Sequence, residues 1–141
     1  RDLWLLVQKE VAERITAVPG RLSMLAISVQ FYAQPEIIDI VSRECFYPVP
    51  KVDSAMISIK LHNKYLNLSD KYKISEKQFW SIVHSGFSNK RKTLVNNLSN
   101  SLHQDKQLME DRLLQLKLDK NVRAQELTIE QWIKLTSSLS E

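Results

Sequence analysis

The protein has 141 residues, 43% of them hydrophobic, and so has enough apolar content for the core of one ordinary domain. No run approaches the roughly 18 consecutive apolar residues that a membrane-spanning helix needs, and we expect a cytoplasmic protein with no membrane partner. Cys45 is the only cysteine, which excludes a disulfide within this sequence. Neither its spacing nor that of the three histidines matches a zinc site, so we expect no metal.

The net charge of +4 is unevenly distributed along the chain. Residues 1–61 hold seven basic and seven acidic residues, whereas residues 62–141 hold thirteen basic and nine acidic residues. A phosphate-rich partner would be attracted to the second part. An ordinary solvated surface with many lysines gives the same pattern, so charge alone does not decide between these two interpretations.

The first 61 residues alternate strand-like and helix-like patterns. Residues 3–7 form a continuous apolar run, which is typical of a strand buried on both faces of a largely parallel sheet. The patterns predict helices at residues 8–18 and 22–32, ended by Pro19-Gly20 and by Pro35, and further strands at residues 36–41 and 54–61. Three strands and two helices leave at least one sheet edge uncovered, so we expect further strands upstream.

After residue 61 the periodicity becomes helical, following a polar linker at residues 62–74. The segments Ser75 to Gln78 and Thr128 to Gln131 are capping boxes and predict helix starts. Apolar periodicity predicts two more helices, near residues 94–102 and 106–116. We therefore predict an α/β part at residues 1–61 and a small helical domain at residues 62–141.

A proline-rich loop at residues 45–53 connects the last two predicted strands. Pro48 and Pro50 fix φ and push their predecessors towards extended geometry, so the loop is stiff and holds Phe46 in place. An enzyme that modifies the exocyclic amine of a base must draw that base out of its stack, and an aromatic face then replaces the lost stacking. The alternative is that Phe46 and Tyr47 only pack against the core or the loop.

Several segments resemble ribosomal RNA adenine dimethyltransferases. The sequence FYPVPKVDSA at residues 46–55 resembles the family motif F-x-P-x-P-K-V-D-S-A, in which the phenylalanine borders the target-adenine pocket. Four more segments are similar to family sequences: VQKEVAER at residues 7–14, VQFY at 29–32, FSNKRKTLVNNL at 87–98 and RAQEL at 123–127. The resemblance extends from about residue 5 to residue 132, with a slightly short connection at residues 21–24 and Gln125 where the family usually has Glu. It implies that Phe46 stacks on the target adenine.

The resemblance implies a Rossmann-like methyltransferase sheet, of which this chain carries the carboxy-terminal strands and helices, followed by a helical RNA-docking domain. It also implies that the complete protein uses S-adenosylmethionine to dimethylate adenines of small-subunit ribosomal RNA, in the pre-ribosomal subunit. The family's glycine-rich donor loop and its Asn-Leu-Pro-Tyr motif precede the residues present here, and Gly20 and Gly86 are the only glycines. We therefore expect that the natural chain begins earlier, and that this chain alone neither binds the donor nor methylates RNA.

Lys90, Arg91 and Lys92 are predicted to lie at the start of a helix, where each cation opposes the helix dipole at a cost of about 0.3–1 kcal/mol. A phosphate would meet both these cations and the free N–H groups of the first helical turn. We therefore predict an RNA-binding role, the alternative being a tolerated surface cluster. Lesser candidates for RNA contacts are the basic residues Arg14, Arg21, Arg43, Lys51 and Arg123.

Two other functions agree with the same residues. One is a non-catalytic RNA-binding protein or fragment that keeps only the docking surface. The other is a relative that modifies large-subunit RNA, although the segments at residues 51–55 and 123–127 fit the small-subunit family better. An upstream reading frame with a glycine-rich loop and an Asn-Leu-Pro-Tyr motif would favour the enzyme over the binding protein.

Overall fold

The computed structural model describes residues 2–140, which form two compact units. The first unit contains the residues up to Val18 together with Leu25–Tyr65. The second contains Pro19–Met24 and the residues from Leu66 onward. The chain therefore passes from one unit to the other three times, after Val18, Met24 and Tyr65.

The elements of the first unit follow the predicted order of strand, helix, helix, strand, loop and strand. They are β1 (Asp2–Gln8), α1 (Lys9–Ile15), α2 (Met24–Gln30), β2 (Ala33–Val41), a 3-10 helix (Arg43–Cys45) and β3 (Ser54–Leu61). The predicted strand at residues 54–61 has the observed bounds, and both predicted helices are present but shorter. Pro35 lies within β2, an edge strand, where a residue without an N–H is tolerated.

The sheet differs from the prediction in the direction of its strands. Its order is β1-β3-β2, and both neighbouring pairs are antiparallel, so the expectation of a largely parallel sheet is wrong for residues 2–140. β2 and β3 are connected by a loop without a crossover helix, and such a loop joins antiparallel neighbours. An apolar run such as that in β1 carries no information about strand direction. For this reason the sequence did not predict the antiparallel pairing.

One face of the sheet packs against the helices. The buried centre consists of Ala12, Ile15, Ala55 and Ile57, surrounded by partly buried side chains of β1, β2, α1 and α2. In β1, by contrast, residues 3–6 are between 39% and 57% exposed. Within residues 2–140 β1 is therefore not buried on either face along residues 3–6. The prediction of a strand buried on both faces concerned a sheet with further strands upstream, and it stays a prediction.

The side chain of Gln30 connects the two helices of the first unit. Its Nε2 atom donates to the carbonyl oxygens of Ile15 (2.8 Å) and Ala17 (2.9 Å) at the end of α1. The last carbonyls of a helix have no intrahelical partner, so this amide satisfies groups that would otherwise need water. The Gln30 carbonyl in turn lies 3.0 Å from the His62 ring Nε2, just after β3.

Asp53 connects the loop between β2 and β3 to the start of α1. Its carboxylate accepts a hydrogen bond from the Arg43 N–H (2.9 Å), the first residue of the 3-10 helix. Its backbone carbonyl accepts one from the Lys9 N–H (2.9 Å), the first residue of α1. The Arg43 guanidinium completes the closure by donating to the Lys51 carbonyl (3.1 Å). Both ends of the loop are thereby fastened to each other.

The second unit is helical. Its elements are α3 (Leu68–Lys71), α4 (Glu76–Gly86), α5 (Leu94–Leu102), α6 (Lys106–Gln115), a second 3-10 helix (Ala124–Glu126) and α7 (Ile129–Leu139). Both predicted capping boxes are confirmed, at the starts of α4 and α7. The predicted linker at residues 62–74 is not purely a linker, since it contains α3 and buries Leu68 and Ile74. A single helical turn is too short to show apolar periodicity in the sequence.

The core of this unit is built around Trp132 in α7, which is fully buried. The Phe87 ring lies beside it, with 5.6 Å between the two ring centroids. Gly86 ends α4 at a point where a β-carbon would lie 2.5 Å from Trp132 Cη2 and 2.9 Å from Leu94 Cδ1. A glycine is therefore required here by close packing.

Two general features of residues 2–140 bear on function. No helix among them is long and apolar enough to cross a membrane. In the same residues, no group of three His, Cys, Asp or Glu side chains is arranged to hold a metal ion.

Replacing Asp53 with Ala removes the acceptor for the Arg43 N–H. We expect the free energy of unfolding to fall by about 1–2 kcal/mol, and the Arg43 amide to lose protection in hydrogen exchange. Asp39→Ala is a matched control, because it removes the same charge from the same unit and its carboxylate accepts from the adjacent Ile40 N–H. Equal protection of the Arg43 amide in both variants would contradict this role of Asp53.

Replacing Gly86 with Ala adds a methyl group that must displace Trp132 and Leu94. Alanine is the better helix former by about 1 kcal/mol, yet overpacking costs about 1–3 kcal/mol, so we expect a net loss of stability on thermal unfolding. Ser81→Ala, at an exposed position of the same helix, should be neutral or slightly stabilising. A Gly86→Ala variant that melts above the unsubstituted protein would show that Trp132 moves freely.

Candidate nucleic-acid interface

Phe46 follows the first 3-10 helix, and its N–H donates to the Arg43 carbonyl (3.3 Å). Its backbone is extended, with φ −115° and ψ 151°, and its side chain is half-buried. The hydrogen bonds from Arg43 to Asp53 and Lys51 hold the helix that precedes it. Phe46 is thus fixed by its backbone while part of its ring remains accessible.

The residues that follow Phe46 project into solvent within the described chain. Tyr47 is 99% exposed, so within residues 2–140 it packs against neither the core nor the loop. Val49 and Val52 are also exposed. The peptide bond between Tyr47 and Pro48 is cis. The loop therefore carries apolar and aromatic surface with its backbone fastened at both ends.

The other predicted RNA contacts of the first unit are exposed single cations. Arg14 lies in the last turn of α1, and Lys51 lies in the loop after Phe46. Arg43 has a structural use, since its guanidinium and its N–H both hydrogen-bond within the loop. Arg14 and Lys51 stay predictions.

Lys90, Arg91 and Lys92 are exposed, but they do not lie in the first turn of a helix as predicted. They belong to the loop between α4 and α5, and α5 begins at Leu94 with Thr93 as its N-cap. The loop at residues 87–93 contains neither proline nor glycine, the residues that usually mark a loop in a sequence. The basic residues were therefore predicted to belong to the helix. The helix therefore begins about one turn later than the sequence predicted.

Two N–H groups in the first turn of α5, which the sequence predicted to be free, already have partners within the protein. The Leu94 N–H donates to the Val122 carbonyl (2.9 Å), and the Asn96 N–H donates to the Thr93 hydroxyl (3.4 Å). An anion at this loop would consequently be held by side-chain cations more than by the helix end.

The structure brings two further predicted cations to the same region. Arg123 donates from Nη1 to the Lys90 carbonyl (3.3 Å), and the two residues line a small cavity of about 20 Å³ together with Lys92. Arg21 lies between Gly20 and Leu22, whose N–H groups both donate to the Gln125 carbonyl, at 2.9 and 3.2 Å. We call Arg21, Lys90, Arg91, Lys92 and Arg123 the basic surface.

One acidic side chain takes part in the hydrogen bonds of the basic surface. The acidic group bonded within it is Glu126, which accepts from the Arg123 N–H (3.4 Å) and so caps the second 3-10 helix. Five cations on one unit make a positive potential that attracts polyanions and that weakens as salt increases.

Two residues that hold these loops were not predicted from the sequence. Asp53 was noted only as a letter of the proline-rich motif, and Asn97 only as part of the FSNKRKTLVNNL segment. Asn97 is a buried polar residue between apolar ones on α5, and that interruption of an apolar face was the available signal. Nothing in the pattern around Asp53 indicated its two hydrogen bonds.

The chain matches the family model described as ribosomal RNA adenine dimethylase over residues 1–141. It is 40% identical over 137 residues to ribosomal RNA small subunit methyltransferase A of Fusobacterium nucleatum, covering 95% of this chain and 50% of that protein. The Bacillus cytotoxicus protein of the same name is 36% identical over 144 residues, covering 99% of this chain and 48% of that protein. The chain thus spans about half the length of these relatives.

Two solved structures share the fold. A dimethyladenosine transferase from Plasmodium falciparum superposes with a TM-score of 0.70 at 23% identity, covering 96% of this chain and 55% of that one. The 23S rRNA methyltransferase ErmE gives a TM-score of 0.69 at 22% identity, covering 99% of this chain and 55% of that one. The match of the family model along the whole chain, together with these relatives, shows that the chain belongs to the ribosomal RNA adenine dimethylase family.

Proposed function

We propose that this chain is part of an S-adenosylmethionine-dependent methyltransferase that dimethylates adenines in small-subunit ribosomal RNA during ribosome assembly, in the cytoplasm. The observation that carries the proposal is the family match over residues 1–141, with relatives named as small-subunit methyltransferases. The partner is ribosomal RNA, free or in a pre-ribosomal small subunit.

The residues described here do not fit the methyl donor. Gly86 packs against Trp132, and Gly20 lies in a turn at φ 107°, so neither glycine belongs to a loop that could cradle the donor. We therefore propose that the donor site of the complete protein lies mostly outside this chain. We expect this chain alone to be inactive, and its own residues to contribute the placement of the adenine and the docking of the RNA.

Phe46 is suited to hold a target base that has left its stack. Its backbone is fixed through Arg43 and Asp53, so little further ordering is needed when a base arrives, and its ring is partly accessible. Stacking on one aromatic ring contributes about 1–3 kcal/mol. Phe46 therefore acts on the position of one base, whereas the affinity for RNA comes from many phosphate contacts.

The basic surface is suited to bind the phosphate backbone. All five cations lie in the second unit. The Arg123 guanidinium donates to the Lys90 carbonyl, and the N–H groups on either side of Arg21 donate to the Gln125 carbonyl. The docking energy from such contacts does not depend on base sequence. Arg14 and Lys51 are proposed as additional contacts from the first unit.

A non-catalytic RNA-binding protein is the second candidate. The observation in its favour is that the basic surface lies wholly in the helical unit, while neither glycine of residues 2–140 lies in a loop that could cradle the donor. The experiment that separates the two is methyl transfer from labelled S-adenosylmethionine to unmethylated small ribosomal subunits by the complete protein. Dimethyladenine in the RNA supports the enzyme, and tight binding without transfer supports the second candidate.

Replacing Phe46 with Leu keeps an apolar side chain but removes the aromatic face. In the complete protein we expect turnover to fall by roughly 5- to 150-fold, the equivalent of about 1–3 kcal/mol of stacking, with little change in RNA affinity. Phe46→Tyr should keep most of the turnover. Tyr47→Ala is the control for a neighbouring aromatic ring, and a normal rate in Phe46→Leu would make Phe46 a packing residue.

Replacing Lys90, Arg91 and Lys92 together with Gln should leave thermal stability unchanged or slightly raised, because the three side chains are exposed and lie just before the N-cap of α5, whose dipole opposes them only weakly. RNA affinity should fall, and the slope of log affinity against log salt should decrease by about 0.7–0.9 for each lost phosphate contact. Stability and affinity are therefore expected to change independently.

A second triple variant controls for total charge. Lys77, Lys106 and Lys134 are exposed positions on α4, α6 and α7, and changing them to Gln removes the same three charges elsewhere in the unit. The salt slope should change much less. If the first triple variant melts lower and keeps its salt slope, the loop is an internal structural cluster, and docking must be sought at Lys64, Lys71 and Lys73.

A further inference from the structure

Asn97 is a buried amide on an otherwise apolar face. It lies in α5 beside Leu94 and Leu98, and its side chain is 3% exposed. Burying an amide costs free energy unless its polar atoms are paired. Its Nδ2 atom donates two hydrogen bonds, to the carbonyl oxygens of Gly86 (2.8 Å) and Asn89 (2.9 Å). Both acceptors belong to the junction between α4 and the loop that carries the cations.

The backbone of each of the three cationic residues takes part in a hydrogen bond that holds the loop. The Asn89 carbonyl accepts from the Lys92 N–H (3.1 Å), and the Asn89 Oδ1 accepts from the Arg91 N–H (3.0 Å). The Lys90 carbonyl accepts from the Arg123 guanidinium (3.3 Å). Two of these three bonds end on Asn89, so the position of Asn89 decides the position of the loop.

We propose that Asn97 is a positioning residue for RNA docking, which holds Asn89 against α5 and thereby presents Lys90, Arg91 and Lys92 as one ordered group. The inference rests on the proposed docking role of the basic surface. Asn97 itself is buried and touches no RNA. It acts on binding by fixing the loop before the RNA arrives.

The physical reason is the entropy of ordering a loop. Fixing flexible backbone costs conformational entropy, and a loop that is ordered only upon binding loses that free energy from its affinity. An amide suits the task because a single nitrogen carries two donors, which match two carbonyl acceptors. A carboxylate has no donor when ionised, and an aliphatic side chain has none at all.

The competing view is that Asn97 only completes the core of the helical unit. In that case its loss would lower stability, and RNA binding would change only as far as the folded fraction changes. The positioning role predicts something different, namely fewer simultaneous phosphate contacts in fully folded protein. The salt dependence of binding reports the number of such contacts and separates the two views.

The test uses the complete protein, protein-free small-subunit ribosomal RNA as the probe, and a temperature at which every variant is folded. Asn97→Leu removes both donors with a neutral side chain of similar size. We expect the salt slope to decrease by roughly 1.5, the equivalent of about two phosphate contacts, and affinity to fall about tenfold. Leu98→Ala, a buried neighbour in the same helix, is the control for lost stability and should keep the salt slope.

The triple Gln variant of Lys90, Arg91 and Lys92 is then combined with Asn97→Leu in a double-mutant cycle. If Asn97 acts through the cations, its substitution adds little once they are gone. If the triple variant alone has no effect on the slope, the proposed docking role fails. If the triple variant flattens the slope while Asn97→Leu leaves it unchanged, or adds its effect independently, the docking role survives and the positioning role of Asn97 is wrong.

Asn89→Ala keeps the test decisive if Asn97→Leu does not fold. Asn89 is exposed, so its replacement leaves the core intact, while the loop loses the acceptor for the Arg91 N–H. We expect normal thermal stability with a slope that decreases by about one contact. Ser88→Ala, at the adjacent exposed position, is its control. This variant keeps the Asn89 carbonyl that accepts from Asn97, and it tests the premise that the order of the loop sets the number of phosphate contacts. An unchanged slope in Asn89→Ala would contradict that premise and so overturn the proposal.

Discussion

Three polar side chains, those of Gln30, Asp53 and Asn97, satisfy backbone groups where helices and loops meet. Gln30 donates to two carbonyls at the end of α1, Asp53 accepts from the first N–H of a 3-10 helix, and Asn97 donates to two carbonyls after α4. A backbone group without a partner is costly away from water, so loops near a core must be paired in this way. The loops that carry the candidate site depend on this constraint.

Loops ordered by hydrogen bonds need not bury their own side chains. The loop after Arg43 keeps Tyr47 and Val49 in solvent, and the loop after α4 keeps its three cations exposed. Had hydrophobic burial ordered these loops, their aromatic and basic groups would be occupied by the protein itself. Hydrogen bonds to the backbone therefore fix the position of a loop and leave its side chains accessible. A ring that stacks on a base and a cation that binds a phosphate both need these two properties.

The sequence predicted the elements better than their arrangement. Helices with apolar periodicity and a capping box, at Ser75 and Thr128, were confirmed, because both signals are local. The antiparallel pairing of β3 with β1 and β2 was missed, since strand direction depends on residues far apart in the chain. The single turn of α3 was missed as well. For the site, residue types indicated cations near position 90, but the N-cap at Thr93 placed them in a loop instead of a helix.

The motif segments mix two kinds of residue, and the structure separates them. In FYPVPKVDSA, Asp53 fastens the loop and Phe46 is the side chain that the fastened loop presents. In FSNKRKTLVNNL, Asn89 and Asn97 fasten the loop that presents the cations. The residues that hold the loops, Asp53, Asn89 and Asn97, need a particular number of hydrogen-bond donors or acceptors. Any cation, by contrast, neutralises a phosphate. Lys-for-Arg exchange in the basic loop should therefore be tolerated far better than loss of either asparagine, although the asparagines carry no charge.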